Sequence, residues 1–489
     1  MKPLLKTEDL EIRTAEARLV EPLSMELFPG KVLSIIGETG SGKSLFAQGV
    51  VGNLPPGLHA QGRIELAGGF SEEGRSNRRQ SLWGREIAVL PQEPWLSLDP
   101  TMRASSQVSE TYQHVVGKPP SESRDLAQRD LVRLGLEHAS TKYPFQLSGG
   151  MAQRLAFSAI HAGGAKLMVA DEPTKGLDRD RIDEVISLLK AGLTEGGALL
   201  IITHDMEVAR RLGGDIMIML KGKIIEAGSA EQVLNNPQHS YTRQLLDADP
   251  LNWKIHKPAL PTVEPVVQVK NLGVERSGRT LFQGLSFDVR PGEIVGVTGP
   301  SGCGKSTLGD VILGLIDASE GSIVKRAGIS RVAFQKLFQD PVAAFPPTVT
   351  LAQNLADLVH LHGLDANRIG PLLKRLRLEQ SLLNRLPGNV SGGELQRFSL
   401  LRVLLIDPVL IFADEPSSRL DLITQKEMLE LLVESAKESD TAVLLVSHDE
   451  ALIDAVSDQR IRLGSSEHPA STLEMAVTPP HYTSASVEA

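Results

Sequence analysis

The sequence predicts an α/β fold written twice along one chain, and three observations lead there. The run Gly37-Glu38-Thr39-Gly40-Ser41-Gly42-Lys43-Ser44 recurs as Gly299-Pro300-Ser301-Gly302-Cys303-Gly304-Lys305-Ser306, each copy closing a short apolar run and preceding amphipathic sequence. Ala170-Asp171-Glu172-Pro173 recurs as Ala413-Asp414-Glu415-Pro416, again at the end of apolar runs. Between these landmarks, apolar segments of strand length alternate with helical periodicity, the pattern of a parallel sheet covered on both faces.

The elements follow in the same order in both halves. Residues 32–37 and 294–299 read as buried strands ahead of a glycine-rich turn, and residues 167–170, 199–203, 409–413 and 442–447 read as further strands of the sheet. Leu147-Ser148-Gly149-Gly150-Met151 is echoed by Val390-Ser391-Gly392-Gly393-Glu394, and Thr203-His204-Asp205 by Ser447-His448-Asp449. Helical periodicity between residues 92 and 148, and between 339 and 391, predicts an inserted helical subdomain in each half. The interval from Lys305 to Gln339 is shorter than that from Lys43 to Gln92, so the second half lacks a peripheral loop or hairpin. The expected organisation is a first domain over 1–247, a proline-rich linker over 248–265, a second domain over 266–464 and a flexible tail over 465–489.

Composition narrows the function classes. A chain of 489 residues exceeds one compact core. The formal net charge of −9 argues against a nucleic-acid partner, which needs a clustered basic face. One cysteine, Cys303, can form neither an internal disulfide nor a four-ligand zinc or iron–sulfur site, which fits a reducing cytosol. The first residues carry no apolar core of signal-peptide length, and the most apolar stretches fall short of the roughly 20 residues that span a bilayer.

Each motif has a chemical rationale. A GxxxxGK[ST] turn between strand and helix wraps backbone N–H groups around phosphates, with Lys43 and Lys305 reaching the outer ones and the Ser44 and Ser306 hydroxyls suited to Mg²⁺. Asp171 and Asp414, at the carboxyl ends of strands, face the crevice where a carboxylate can hold Mg²⁺. The neighbouring Glu172 and Glu415 project differently and can act as general bases on water. His204 and His448, after the next strand, could reach a terminal phosphate and link it to the base. Gln92 and Gln339 stand where core and helical insert meet, placing a neutral, easily released ligand for Mg²⁺ there. Ser148-Gly149-Gly150 and Ser391-Gly392-Gly393 open helices free of side-chain bulk, suited to receive a phosphate.

Taken together, these residues resemble the ABC ATPase superfamily over residues 4–246 and 266–463. The resemblance implies two P-loop nucleotide-binding domains, each with a parallel-sheet core, an antiparallel edge sheet and a helical subdomain. It implies an intramolecular pseudo-dimer with Lys43 opposite Ser391 and Lys305 opposite Ser148, using ATP and Mg²⁺. Fusion would raise the effective concentration of each half for the other.

A finer resemblance, carried by Gln92-Glu93-Pro94, by Tyr143-Pro144-Phe145-Gln146-Leu147-Ser148 and by Pro237-Gln238-His239-Ser240-Tyr241-Thr242, is to the ATPases of peptide, nickel and opine importers. It implies a motor at the cytoplasmic face of the inner membrane, working with two integral-membrane permease subunits and a solute-binding protein. The sequence departs from the pattern where the family stacks adenine, with Glu11-Ile12-Arg13 in the first half and Val274-Glu275-Arg276 in the second, which offers Phe282 as a substitute. Lys175-Gly176-Leu177 and Ser418-Arg419-Leu420, before Asp178 and Asp421, differ from the family's small-residue turn. The alternative is a tandem ATPase acting on ribosomes, whose relatives carry a longer, charged linker.

Overall fold

The computed structural model describes the chain apart from residues 1, 67–68, 74–77, 92–93, 175–178, 194–195, 255–262, 277, 301, 465–471 and 476–489. Gln92, Ser301 and the segment from Lys175 to Asp178 therefore lie outside the described residues, as does most of the expected tail. The chain divides into two compact units, Met1–Leu246 and Asp247–Ala489.

In the first unit a six-stranded sheet runs in the order Lys223–Ser229, Asp215–Leu220, Val32–Ile36, Ala198–Thr203, Leu167–Asp171 and Ile87–Leu90. All neighbours pair in parallel except the first two. Val32–Ile36 and Ala198–Thr203 are buried along their whole length, which is why they read as continuous apolar runs rather than alternating ones. The antiparallel sheet has the order Arg18–Leu27, Leu5–Arg13, His59–Leu66 and Ser71–Glu73, and its inward face joins the phosphate-loop helix Lys43–Val51 in one core around Phe46, Ile12 and Ile64. Helices Ala104–Glu110, Pro120–Arg133 and Gly149–His161 build a separate small core around Val108, Leu131 and Leu155, the expected helical subdomain.

The second unit repeats this plan. Its six-stranded sheet has the order Phe334–Leu337, Leu410–Asp414, Ala442–Val446, Ile294–Thr298, Gln459–Arg462 and Thr472–Met475. Its antiparallel sheet keeps three strands, Arg279–Val289, Val267–Arg276 and Glu320–Lys325. Among the described residues it has no counterpart of the strand Ser71–Glu73, and a shorter turn, Arg331–Ala333, precedes Phe334–Leu337 where Arg78–Leu82 precedes Ile87–Leu90, which accounts for the shortened interval after Lys305.

Two stretches differ from expectation. Residues 248–253, expected to open the linker, are built in: Ala248 ends the helix Ser240–Ala248, the buried Asp249 caps the turn Pro250–Asn252, and Trp253 packs on the second unit's core. Thr472–Met475, inside the expected tail, pairs antiparallel with Gln459–Arg462. Among the described residues no helix is long and apolar enough to cross a membrane.

Candidate nucleotide sites

Each glycine-rich turn runs from the carboxyl end of a central strand into a helix. Gly42 and Gly304 precede those helices at φ 102° and 104°, a conformation open to glycine and strained for other residues, so the turn can deliver its N–H groups into one concavity. Gly37 is fixed by crowding, since a Cβ there would sit 2.2 Å from the Met219 carbonyl oxygen. The buried Lys43 donates from Nζ to the Gly37 and Glu38 carbonyls at 2.8 Å each, and Lys305 to those of Gly299 and Pro300 at 2.8 and 3.0 Å. Both ammonium groups thus lie folded across their own loops. Cys303 turns its thiol into the core, where burial pushes its pKa up; its contribution to the loop is backbone alone.

Two contacts recur in both units. The Ser44 hydroxyl donates to Asp171 Oδ1 at 3.0 Å, and Ser306 to Asp414 Oδ1 at 2.9 Å, bringing together a hydroxyl and a carboxylate more than a hundred residues apart. Hard oxygen donors with a single carboxylate suit Mg²⁺, which completes its shell with phosphate oxygens and water. The second contact joins glutamate to histidine: Glu172 Oε2 lies 2.6 Å from His204 Nδ1, and Glu415 Oε1 lies 2.5 Å from His448 Nε2. Opposite ring nitrogens face the carboxylate in the two units, and His448 turns its Nδ1 to within 3.5 Å of Lys305 Nζ.

Strain marks the same glutamates. Glu172 and Glu415 adopt φ of 49° and 48°, unusual for non-glycine residues. Each backbone N–H is held by the neighbouring strand, Glu172 by the Ile202 carbonyl at 2.8 Å and Glu415 by that of Val446 at 3.1 Å. This left-handed turn swings each glutamate away from the preceding aspartate, and its side chain is only 12% exposed.

Gln339 donates to Glu415 Oε2 at 2.9 Å and to the Ser418 hydroxyl at 3.3 Å, so in the second unit the amide rests on the glutamate. Ser148 and Ser391 cap the helices Gly149–His161 and Gly392–Leu405, accepting from Met151 N–H and Glu394 N–H. Asp421 caps the helix Leu422–Glu438. Phe282 is fully buried beside Gly304 and presents no face for stacking.

Sequence reasoning missed Lys336. From the strand Phe334–Leu337 its Nζ reaches Asp310 Oδ1 at 2.7 Å and Asp414 Oδ2 at 3.6 Å, setting a half-buried cation beside the Asp414 carboxylate. Burial pushes the Asp414 carboxyl up, with Glu415 and Asp310 adding to the shift and the Ser306 hydroxyl and Lys336 opposing it. The register gives Val89 as the first unit's counterpart of Lys336, since Val89 pairs with Val169 as Lys336 pairs with Phe412.

The sequence pattern of the ABC transporter family matches residues 20–175 and 282–418. The chain is 31% identical over 496 residues to the peptidoglycan transport ATP-binding protein YejF of Agrobacterium fabrum, with 94% of this chain and 91% of that protein aligned. It is 32% identical over 509 residues to the glutathione import ATP-binding protein GsiA of Salmonella paratyphi A, with 90% of this chain and 80% of that one aligned. Among solved structures, the archaeal ribosome recycling factor aABCE1, in complex with ribosomal stalk protein aP1, superposes with a TM-score of 0.67 at 20% identity over 95% of this chain and 89% of that one, a likeness of fold. With two matched spans and relatives above 30% identity aligned over most of its length, the chain belongs to the ABC transporter ATP-binding family, and it hydrolyses ATP with Mg²⁺.

Proposed function

We propose that this chain is the ATP-driven motor of an importer for small peptides, peripheral at the cytoplasmic face of the inner membrane, where it would drive two separate permease subunits fed by a solute-binding protein. The observation that carries this reading is the nearly end-to-end alignment with ATP-binding proteins named for peptidoglycan transport and glutathione import. Residues 1–247 and 266–464 would be the two cassettes. The likeness to aABCE1, at 20% identity, concerns fold and lends no weight to ribosome binding.

Within this reading Lys43 and Lys305, with the N–H groups of their loops, bind the phosphates of ATP. Ser44 with Asp171, and Ser306 with Asp414, hold Mg²⁺, joined by Gln92 and Gln339. Bound there, Mg²⁺ would supply positive charge that offsets that of the phosphates. Glu172 and Glu415 take the proton of the attacking water, with His204 and His448 orienting their carboxylates. The turns at Ser148–Gly150 and Ser391–Gly393 receive phosphate from the other unit's loop, a role that rests on the family resemblance.

The test is affinity purification of the Glu172→Gln, Glu415→Gln double variant from detergent-solubilised cells in MgATP, followed by mass spectrometry. Two polytopic membrane proteins with a peptide-binding protein are the expected companions. A binding protein for nickel chelates or opines would reassign the solute, and ribosomes without membrane subunits would overturn the importer reading.

A further inference from the structure

The helix Ser240–Ala248 reaches back to the first phosphate loop. Tyr241, 7% exposed, accepts a hydrogen bond at its hydroxyl from the Glu38 backbone N–H at 3.1 Å. The Glu38 carbonyl in turn accepts from Lys43 Nζ at 2.8 Å, so this residue of the loop is held at both its N–H and its carbonyl. The helix start that carries Tyr241 is itself anchored. Glu226, on the strand Lys223–Ser229, accepts from the N–H groups of Gln238 and His239 at 2.7 and 3.0 Å and from the Thr242 hydroxyl at 2.5 Å. The Tyr241 N–H donates to His239 Nδ1 at 3.1 Å. A rigid phenol at the end of an anchored helix start therefore bears on one peptide of the loop.

The second unit cannot copy this contact. Pro300 stands where the first loop has Glu38, and proline has no N–H to donate. Its ring fixes φ covalently, whereas Glu38 depends on a hydrogen bond from outside the loop.

We infer that Tyr241 is a positioning residue for the first nucleotide site alone, holding the Glu38 peptide so that the remaining loop N–H groups face the phosphates. The inference rests on the reading of this loop as an ATP site. One neutral hydrogen bond of this kind is worth about a three- to tenfold change in affinity.

The experiment is a double-mutant cycle in the full chain. Binding of MgADP is followed calorimetrically in a Lys305→Ala background, which leaves the first site to report. Tyr241→Phe, which keeps the ring, should weaken binding about three- to tenfold. Glu38→Pro, which imports the second loop's residue, removes the donor, so adding Tyr241→Phe to it should cost nothing further. In a Lys43→Ala background, where the second site reports, Tyr241→Phe should leave affinity unchanged; a general loss of stability would instead lower the melting temperature and weaken both sites. In the otherwise unmodified chain, Tyr241→Phe should raise KM for ATP while kcat at saturation holds. Unchanged affinity at the first site, or a penalty as large with proline at position 38 as with glutamate, would refute the tether. A Lys305→Ala parent that binds no MgADP would sink the site itself, and the tether with it.

Discussion

Replacing Glu394 by methionine tests how the helices Gly149–His161 and Gly392–Leu405 differ. In the second unit, Glu394 Oε2 accepts from the Ser391 N–H at 2.8 Å and from its hydroxyl at 2.7 Å, while the Ser391 hydroxyl accepts from the Glu394 N–H, closing a capping box. Met151 holds the same place in the first unit and closes none. Methionine and glutamate have nearly equal helix propensity, so Glu394→Met isolates the cap. A full charged hydrogen bond would be worth more, but Ser391 is exposed and Glu394 half-buried, so water recovers part of the loss and about 1 kcal/mol is expected. In a unit of this size that lowers the melting temperature of its transition by about 2–4 °C. It also speeds hydrogen exchange at the amides of residues 392–394 about fivefold. The pH dependence gives a second readout. Partial burial alone would push the Glu394 carboxyl up, but hydrogen bonds from Ser391 and the nearby Arg397 and Arg385 hold it below the ordinary carboxylate range. A carboxylate so depressed stabilises the fold above its ordinary value of about 4.3, and that stability is lost as pH falls through the lower folded value. The difference between wild type and Glu394→Met should therefore close in that window. A variant that matches wild type in both melting and exchange at neutral pH, or a difference that survives protonation undiminished, would refute the reasoning.

Glu172→Gln and Glu415→Gln should each slow their own site by roughly 10²–10⁴ and leave MgATP binding intact, checked by single-turnover hydrolysis beside calorimetry; fast turnover in the double variant would remove both glutamates from the role of base. Lys336→Val should raise the second site's affinity for divalent metal on the order of tenfold, and Val89→Lys should lower the first site's, both read from Mn²⁺ binding by electron paramagnetic resonance with nucleotide present. Glu226 is pushed up by partial burial but held lower overall by the Gln238 and His239 N–H groups and the Thr242 hydroxyl, so its anchoring of the helix start is present above about pH 4.3 and fades as pH falls through its folded value. The protection of the amides of residues 238–242, measured against the intrinsic exchange rate at each pH, should then fall on acidification, and Glu226→Gln should show that lower protection already at neutral pH.

Much of each site was legible because its chemistry is local to short motifs. Ser44 meets Asp171, and Glu415 meets His448, because a parallel sheet carries the carboxyl ends of its strands to one edge. What stayed hidden depends on partners distant in sequence. A serine- and proline-rich tail reads as unstructured, yet Thr472–Met475 is a strand because Gln459–Arg462 offers it an edge. Pro250 reads as a linker residue but sits at the first position of a capped turn, where a missing N–H costs nothing. Lys336 carries no motif in the sequence; only the fold brings Asp310 and Asp414 to its ammonium. Phe282 was readable as an aromatic near the nucleotide, but not as a core residue whose ring fills the space beside Gly304.

Among the described residues both units repeat the lysine and serine of the glycine-rich turn and the aspartate, glutamate and histidine at the strand ends, and they differ in what holds those residues in place. Tyr241 faces the Glu38 N–H in one unit where Pro300 stands in the other. Val89 is matched by Lys336 and Met151 by Glu394, while Nδ1 of one histidine and Nε2 of the other meet the glutamate. Differences of this kind leave the reaction available to both sites and alter how tightly each binds nucleotide or metal and how firmly its helices are capped. Each is worth about 1 kcal/mol, enough to shift an equilibrium several-fold without abolishing a step. Two sites identical in chemistry but unequal in affinity would fill in sequence as ATP rises, so the contrast between them belongs in binding isotherms, where two unequal constants are expected, rather than in the presence or absence of hydrolysis.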